Sequence, residues 1–170
     1  MAIQMIFCVE TNKKADTDSI YVTETINHWY KINNQVKISK IYMNTKSRYM
    51  SKDVLKEIEK KSKAFVIGET KIIYCVDTDQ YEKNIDHTKE LGNISQYCED
   101  NHYDLIWFCH DVEEVFLGQK VSDSQKVQEA AAFRRKKMIE KIRLEKLSCN
   151  EKHACTSNIL NILDKYLSRK

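Results

Sequence analysis

Four short apolar segments separated by amphipathic stretches constrain the fold of this chain more than any other feature. The segments span residues 1–9, 35–43, 70–76 and 103–109 and are rich in β-branched and aromatic residues. Short runs of this composition are typical of buried strands. Strands that alternate with helices predict βαβ units, so we expect an α/β fold with a mainly parallel, four-stranded sheet flanked by helices.

Helical periodicity fills the stretches between the strands. Capping candidates at 16–19 begin the first predicted helix, and Ser51 begins the second. Leu55, Ile58 and Phe65 are expected to face inward from the second helix. A third helix is predicted from about residue 88 to residue 101.

Two further helices are predicted after the last strand. Ser122 and Gln125 resemble a capping box, which predicts one long helix from there to about residue 147. The final helix is predicted for residues 156–167. We therefore expect an α/β domain at 1–118 and a helical extension at 119–170 that packs on the same domain.

Composition excludes several classes of protein. With three glycines and no proline, the chain has neither a P-loop nor a dinucleotide-binding fingerprint. No segment reaches the roughly 18 apolar residues of a membrane span, and the beginning of the chain does not resemble a signal peptide. We expect a cytoplasmic protein without a membrane partner. Its cysteines should be reduced, and Cys8, Cys75, Cys98 and Cys109 are expected in the core.

Acidic residues follow three of the four predicted strands. Glu10 follows the first, Asp77 and Asp79 follow the third, and Asp111 lies just beyond the fourth. The carboxyl ends of parallel strands meet at one edge of the sheet, where ligands bind in open α/β folds. Crowded carboxylates repel one another, and a hard divalent cation such as Mg²⁺ or Mn²⁺ relieves that repulsion. Helix capping is the alternative use of such acids.

The segments that end at Glu10 and at Asp79 resemble the Toprim domain of primases, topoisomerases and OLD-family nucleases. The matching residues are IFCVE at 6–10 and IIYCVDTD at 72–79. The layout is also similar to RloB-like proteins, small Toprim relatives associated with phage defence. In that comparison HDVEEVFL aligns Glu114 with a glutamate of the family and Phe116 with its tryptophan.

The resemblance implies Mg²⁺- or Mn²⁺-dependent cleavage of nucleic acid. It makes Glu10 the acid/base or a metal ligand and places Asp77 and Asp79 on the metal. Glu113 or Glu114 would serve a second metal, but adjacent helical residues point about 100° apart, so only one of them is expected to be a ligand. An ATPase partner is also implied, because the chain has no nucleotide-binding loop of its own.

Two basic segments are candidates for binding phosphate. Lys46 and Arg48 follow the second strand and would reach substrate from the same sheet edge. Arg134, Arg135, Lys136 and Lys137 are consecutive cations in a predicted helix and would track a nucleic-acid backbone. A solvated helix face is the alternative interpretation of this run.

Other functions remain open at this point. The same acids would suit a nucleotidyltransferase or a nucleotide phosphatase. A receiver-like binding or regulatory module also gathers acids at strand ends, but the order of one Glu and then Asp-Thr-Asp favours Toprim.

Two weaker signals involve possible metal ligands. Cys149, His153 and Cys155 are three potential zinc ligands without a fourth nearby in sequence, so no zinc is expected there. His110 follows the fourth strand and suits a base or a metal ligand, although a structural hydrogen bond is the commoner use.

Overall fold

The computed structural model describes residues 1–170 and has an α/β fold built on a five-stranded sheet. The strand order is β2-β1-β3-β4-β5; the first four of these are mutually parallel, and β5 runs antiparallel to β4. The strands are β1 (Ala2–Val9), β2 (Val36–Tyr42), β3 (Gly68–Asp77), β4 (Asp104–Cys109) and β5 (Thr156–Ser157). The four predicted strands are therefore present, and the short fifth strand was missed.

Seven helices accompany the sheet. They are α1 (Asp18–Trp29), α2 (Lys52–Lys63), α3 (Ile85–Asp100), α4 (Val112–Leu117), α5 (Lys126–Arg135), α6 (Leu144–Leu147) and α7 (Ile159–Leu163). Short 3₁₀ turns occur at Lys46–Arg48 and Met138–Lys141. No helix has both the length and the apolar character that crossing a membrane requires.

The helices cover both faces of the sheet, because the apolar side chains of β1 point alternately to one face and the other. Met5 and Phe7 belong to a core cluster with residues of α1, α4, α5 and α7, whereas Ile6 and Cys8 belong to a second cluster with residues of α2 and α3. Successive strand residues point to opposite faces, so an unbroken apolar run is the pattern expected of a strand buried between two helical layers.

The register brings the carboxyl ends of the strands to one edge. Val9 of β1 pairs with Tyr42 of β2 on one side and with Cys75 of β3 on the other. Asp77, the last residue of β3, pairs with Phe108 of β4. Residues that follow these strands therefore start from nearly the same level, and this edge holds the candidate site.

The C-terminal third differs from the prediction of two helices. The long helix expected from Ser122 to about residue 147 is wrong: α5 begins only at Lys126 and ends at Arg135, and Lys137 has a left-handed backbone with φ 49°. Ser122 is not a cap, because its hydroxyl donates to the side chain of Gln125 at 3.1 Å. Three short helices and one 3₁₀ turn, at Met138–Lys141, replace the two expected helices.

The final helix predicted for 156–167 is also wrong in its first part. Ser157 Oγ donates to the Trp107 carbonyl at 2.7 Å, and Asn158 Oδ1 accepts from the Trp107 backbone N–H at 2.9 Å. Asn158 Nδ2 donates to the Leu105 carbonyl at 2.9 Å. These bonds satisfy the outer edge of β4, and only α7 remains helical.

Two of the three residues predicted to face inward from the second helix, Ile58 and Phe65, are buried, and the prediction for Leu55 was wrong. Leu55 is exposed, whereas Val54 and Ile58 are buried. Ser51 caps this helix as predicted, accepting the Val54 N–H at 3.4 Å. Cys8, Cys75, Cys98 and Cys109 are free and buried, as expected of core cysteines.

A candidate metal centre at the carboxyl edge of the sheet

Glu10, Asp77 and Asp79 converge at the ends of β1 and β3. Glu10 Oε1 accepts the Asp77 backbone N–H at 3.3 Å. The Lys46 ammonium lies among all three residues: it donates to the Asp77 carbonyl at 2.9 Å, forms an ion pair with Asp79 Oδ2 and lies 4.0 Å from Glu10 Oε1. The structure thus brings together the three acids singled out from sequence, with a lysine ammonium among their oxygens.

The backbone around β3 and β4 fixes the two aspartates. Asp77 Oδ1 accepts the Val112 N–H at 3.0 Å, at the beginning of α4. The Asp79 N–H donates to the His110 carbonyl at 2.9 Å, and Asp79 itself has a left-handed backbone with φ 49°. Asp77 therefore contributes one oxygen to a helix N-terminus, which leaves its other oxygen free for a ligand.

Asp18 is a fourth acid at this edge that sequence reasoning did not assign to the site. It is the first residue of α1, is only 7% exposed and lines the same cleft as Glu10 and Asp77. Residues 16–19 were interpreted as capping candidates, but Thr17 at the N-cap makes no side-chain capping bond. The sequence could have identified Asp18, because it lies at the start of the helix that directly follows β1. That helix begins at the same sheet edge as Glu10.

The environment favours protonation of these carboxyl groups. Burial raises the pKa of Glu10 to about 8; Lys46 opposes the shift, and Asp18 and Asp79 add to it. Burial, followed by the charge of Glu113, raises the pKa of Asp18 to about 7. The pKa of Asp77 is raised well above its usual value by burial and by Glu10 and Asp18. Crowded, desolvated carboxyl groups of this kind gain more from a bound cation than solvated ones do.

Glu113 lies beneath the cleft and does not line it. Its side chain is fully buried, neither carboxylate oxygen has a hydrogen-bond partner, and the nearest cation is Lys126 Nζ at 3.4 Å. Burial raises the pKa of Glu113, and the charge of Lys126 lowers it. Lys126 does line the cleft, so the predicted metal ligand Glu113 is paired with a cation and does not itself line the cleft.

Glu114 points to a different neighbour. Its Oε2 accepts the His110 backbone N–H at 3.1 Å and lies 3.2 Å from His110 Nδ1. Both residues line a second cavity, of about 480 Å³, which also contains Asp77 and Asp79. The structure therefore places Glu114 beside the acid cluster but not in contact with Glu10.

The cleft itself has a volume of about 640 Å³ and a polar lining. It shares Asp77, Asp79, Asp123 and Lys126 with the second cavity, so the two are continuous. The carboxyl groups that line the larger cleft belong to Glu10, Asp18, Asp77, Asp79, Glu90 and Asp123, and the ammonium groups belong to Lys46 and Lys126. The excess of carboxyl groups makes it a cation-attracting site.

The remaining predicted cations lie outside the cleft. Arg48 pairs with Asp53 at 3.0 Å and lines a neighbouring groove of about 490 Å³ that meets the cleft at Asn44. Arg134 pairs with Glu24 of α1 at 2.8 Å. Arg135, Lys136 and Lys137 are exposed and line neither cavity nor the groove.

Comparisons with known proteins give no relative for this chain. No family model, curated protein or solved structure matches it. The chemistry of the site is therefore argued from its own residues.

The donor set fits a hard divalent cation. Glu10, Asp77 and Asp79 offer carboxylate oxygens, the ligands that Mg²⁺ and Mn²⁺ prefer. The position of the Lys46 ammonium is independent evidence that these oxygens attract positive charge. Because Lys46 lies among the same oxygens, a metal held there would share them with the ammonium or displace it.

Proposed function

We propose that this protein is a metal-dependent enzyme of Toprim type that cleaves phosphodiester bonds in nucleic acid. The observation that supports this most strongly is the convergence of Glu10, Asp77 and Asp79 around one cation-binding position at the carboxyl edge of the sheet. Mg²⁺ or Mn²⁺ bound there would neutralise phosphate oxygens and lower the pKa of a coordinated water.

The residues of the chain would divide the remaining work. Asp77 and Asp79 hold the metal, and the Val112 N–H keeps the Asp77 carboxylate in one orientation. In the metal-free protein burial raises the pKa of Glu10 to about 8, and a carboxyl group whose pKa lies near neutral pH is suited to general acid/base transfer. Lys46 and Lys126 line the same cleft and would contact phosphate oxygens of the substrate.

The basic groove beside the cleft supports nucleic acid as the substrate. Lys13, Lys40, Arg48 and Lys61 line it, and Asn44 is common to the groove and the cleft. Lysine and arginine side chains bind the phosphates of a nucleic-acid backbone largely without regard to sequence. A strand that followed this groove would pass into the acid cluster.

The strongest rival is a binding or regulatory module that works without a metal. The ion pair between Lys46 and Asp79 favours it, because an ammonium already neutralises part of the acid cluster. A nucleotidyltransferase or a nucleotide phosphatase would use the same acids, and product analysis would distinguish them. Involvement in phage defence and an ATPase partner stay predictions that follow from the Toprim resemblance.

Metal binding and cleavage test the proposal together. The wild type is compared with Asp77→Ala and Asp77→Asn, the latter retaining an oxygen for the Val112 N–H. Glu99→Ala, at an exposed acid of α3, is the matched control. Mn²⁺ binding is measured by titration calorimetry, and single- and double-stranded DNA and RNA are incubated with Mg²⁺, Mn²⁺ or EDTA.

We expect metal-dependent cleavage by the wild type and by Glu99→Ala. Both Asp77 variants should lose Mn²⁺ affinity and lower cleavage by about 100-fold or more, as expected when an electrostatic contribution to catalysis is lost. Retained metal binding without cleavage of any substrate would contradict the nuclease proposal but leave the metal centre. Absence of both would favour the binding module.

A further inference from the structure

A second group of potential metal ligands lies on the far side of the strand ends from Glu10. One ligand atom each from Glu82, Cys109 and His110 lies within 4.8 Å of the others. Glu82 belongs to the loop between β3 and α3, Cys109 ends β4, and His110 follows it. Cys109 and His110 are adjacent in sequence, and the fold brings Glu82, which lies 28 residues before His110, to this pair.

The imidazole of His110 is held as in many metal-binding histidines. Glu114 Oε2 lies 3.2 Å from Nδ1, and Nε2 faces Glu82 at 2.8 Å from Oε1. Metal-bound histidines commonly donate one ring N–H to a carboxylate, which fixes the tautomer and presents the other nitrogen to the ion. Glu114 would hold Nδ1 in this way, and Nε2 lies beside a second carboxylate.

Cys155 is brought next to Cys109 by the edge of the sheet. Its backbone N–H donates to the Cys109 carbonyl at 2.8 Å, and Cys109 pairs with Thr156 in the β4–β5 ladder. The Cys155 thiol is not within 4.8 Å of all three ligand atoms of the group, so it would have to turn toward Cys109 to complete the site. Cys155 is also partly exposed, so its thiol is accessible as a fourth ligand.

We propose that Glu82, Cys109 and His110 Nε2 bind a borderline-soft divalent cation of the Zn²⁺ class, with Cys155 as the fourth ligand. Thiolate and imidazole donors select zinc over Mg²⁺, and four protein ligands are typical of structural zinc. The ion would join the β3–α3 loop, the end of β4 and the segment before β5. This inference does not rest on the proposed nuclease function.

The ligand chemistry separates this site from the acid cluster. Glu10, Asp77 and Asp79 offer oxygens alone, whereas Cys109 and His110 offer sulfur and nitrogen. Glu82 and His110 are partly exposed, which gives an ion a route to the buried Cys109. In the absence of an ion, a protonated His110 bridging Glu82 and Glu114 accounts for the same contacts, and this is the competing interpretation.

Cobalt substitution of the full chain distinguishes the two interpretations. Co²⁺ is added to the reduced protein in excess Mg²⁺, and thiolate-to-cobalt charge-transfer absorption is recorded. Zn²⁺ is then added in competition. The variants are Cys109→Ser, His110→Ala and Cys155→Ser, with Cys149→Ser as the matched thiol control, because the Cys149 thiol contacts the Glu145 carbonyl instead. Circular dichroism checks that each variant folds.

We expect one equivalent of Co²⁺ to give the thiolate band and Zn²⁺ to remove it. Cys109→Ser and His110→Ala should weaken Co²⁺ affinity at least about 10-fold, and Cys155→Ser should reduce the band. Cys149→Ser and Asp77→Asn should leave it unchanged. A missing band in the folded wild type would overturn the proposal, as would a band that depends on Cys149. An unchanged band in Cys155→Ser would overturn the assignment of the fourth ligand.

Discussion

Lys46 is the side chain that most directly sets the charge of the acid cluster. It was predicted to reach substrate phosphate, and the structure places its ammonium among Glu10, Asp77 and Asp79. Burial lowers the pKa of Lys46, but Glu10 and Asp79 outweigh this and raise it, so the ammonium stays charged. A metal in the same position therefore competes with a cation that belongs to the protein.

Replacement of Lys46 by methionine should separate these two roles. We expect Lys46→Met to bind Mn²⁺ more tightly than the wild type, since the competing charge is gone. In EDTA the variant should be less stable by about 1–3 kcal/mol, because partly buried carboxylates lose their partner. Titration calorimetry and chemical denaturation measure the two effects. Lys40→Met is the control, since Lys40 pairs with Asp16 outside the cluster. Competition would be refuted if Lys46→Met bound Mn²⁺ more weakly than the wild type while Lys40→Met did not.

Sequence reasoning found the acids but not the way in which they are balanced. Glu10, Asp77 and Asp79 follow apolar runs, and parallel strands bring their ends together, so pattern alone predicted this grouping. Asp18 and Lys46 enter the site through the first turn of α1 and the loop after β2. Sequence placed Lys46 at this sheet edge, but its contacts with the acids and the burial of Asp18 among them depend on packing that the strand pattern does not give.

Among the elements, the strands were predictable and the C-terminal third was not. Apolar runs covered on both faces stand out by composition, whereas α5 ends at Arg135 without a proline or glycine to mark the break. The two-residue strand β5 depends on hydrogen bonds from Ser157 and Asn158 to β4, a partner about 50 residues away in sequence. Interactions over such distances are invisible to periodicity.

Two basic surfaces are candidates for binding the proposed nucleic-acid substrate, and their positions distinguish them. The groove lined by Lys13 and Lys61 meets the acid cleft, and neither lysine forms an ion pair. The exposed end of α5 carries Arg135 and Lys136 but lines neither the cleft nor the groove. We therefore expect the groove rather than α5 to guide the strand to the acids.

Matched charge reversals test this expectation. Lys13→Glu/Lys61→Glu should weaken binding of labelled single-stranded DNA or RNA in EDTA by about 10-fold or more at low salt. It should also reduce the slope of log affinity against log salt by about two, one for each lost phosphate contact. Arg135→Glu/Lys136→Glu should change both quantities little. The reverse ranking in fluorescence anisotropy would move the interface to α5.

For the whole molecule, the buried acids link stability to pH and to metal. The pKa of Glu10 rises from 4.5 to about 8 and that of Asp18 from 3.8 to about 7 on folding, chiefly through burial. Between the unfolded and the folded pKa of each group, the native state holds more protons than the unfolded chain. The free energy of unfolding therefore falls as pH rises, by at most about 1.4 kcal/mol per pH unit for each group.

This linkage predicts a metal-free protein that is more stable at pH 5 than at pH 8. The contribution of the two carboxyl groups is fully present below their unfolded pKa values and lost once pH exceeds about 8. Mg²⁺ at 100 times its dissociation constant should return about 2.7 kcal/mol at pH 8, where the carboxyl groups are ionised and bind it best. Denaturant melts in EDTA and in Mg²⁺ across this range measure both effects.

The variant Glu10→Gln/Asp18→Asn isolates the contribution of Glu10 and Asp18. The pKa of His110 is also raised, by Glu82 and Glu114 against the opposing effect of burial, so His110 gives a pH dependence of the same sign in both proteins. Subtracting the pH dependence of the double variant's stability from that of the wild type removes the contribution of His110. We expect the variant to lose part of the decline from pH 5 to pH 8 and to gain less stability from Mg²⁺ than the wild type, because Asp77 and Asp79 remain. An equal decline in both proteins would mean that the cluster is already neutralised within the chain, with Lys46 and Lys126 as the cations responsible.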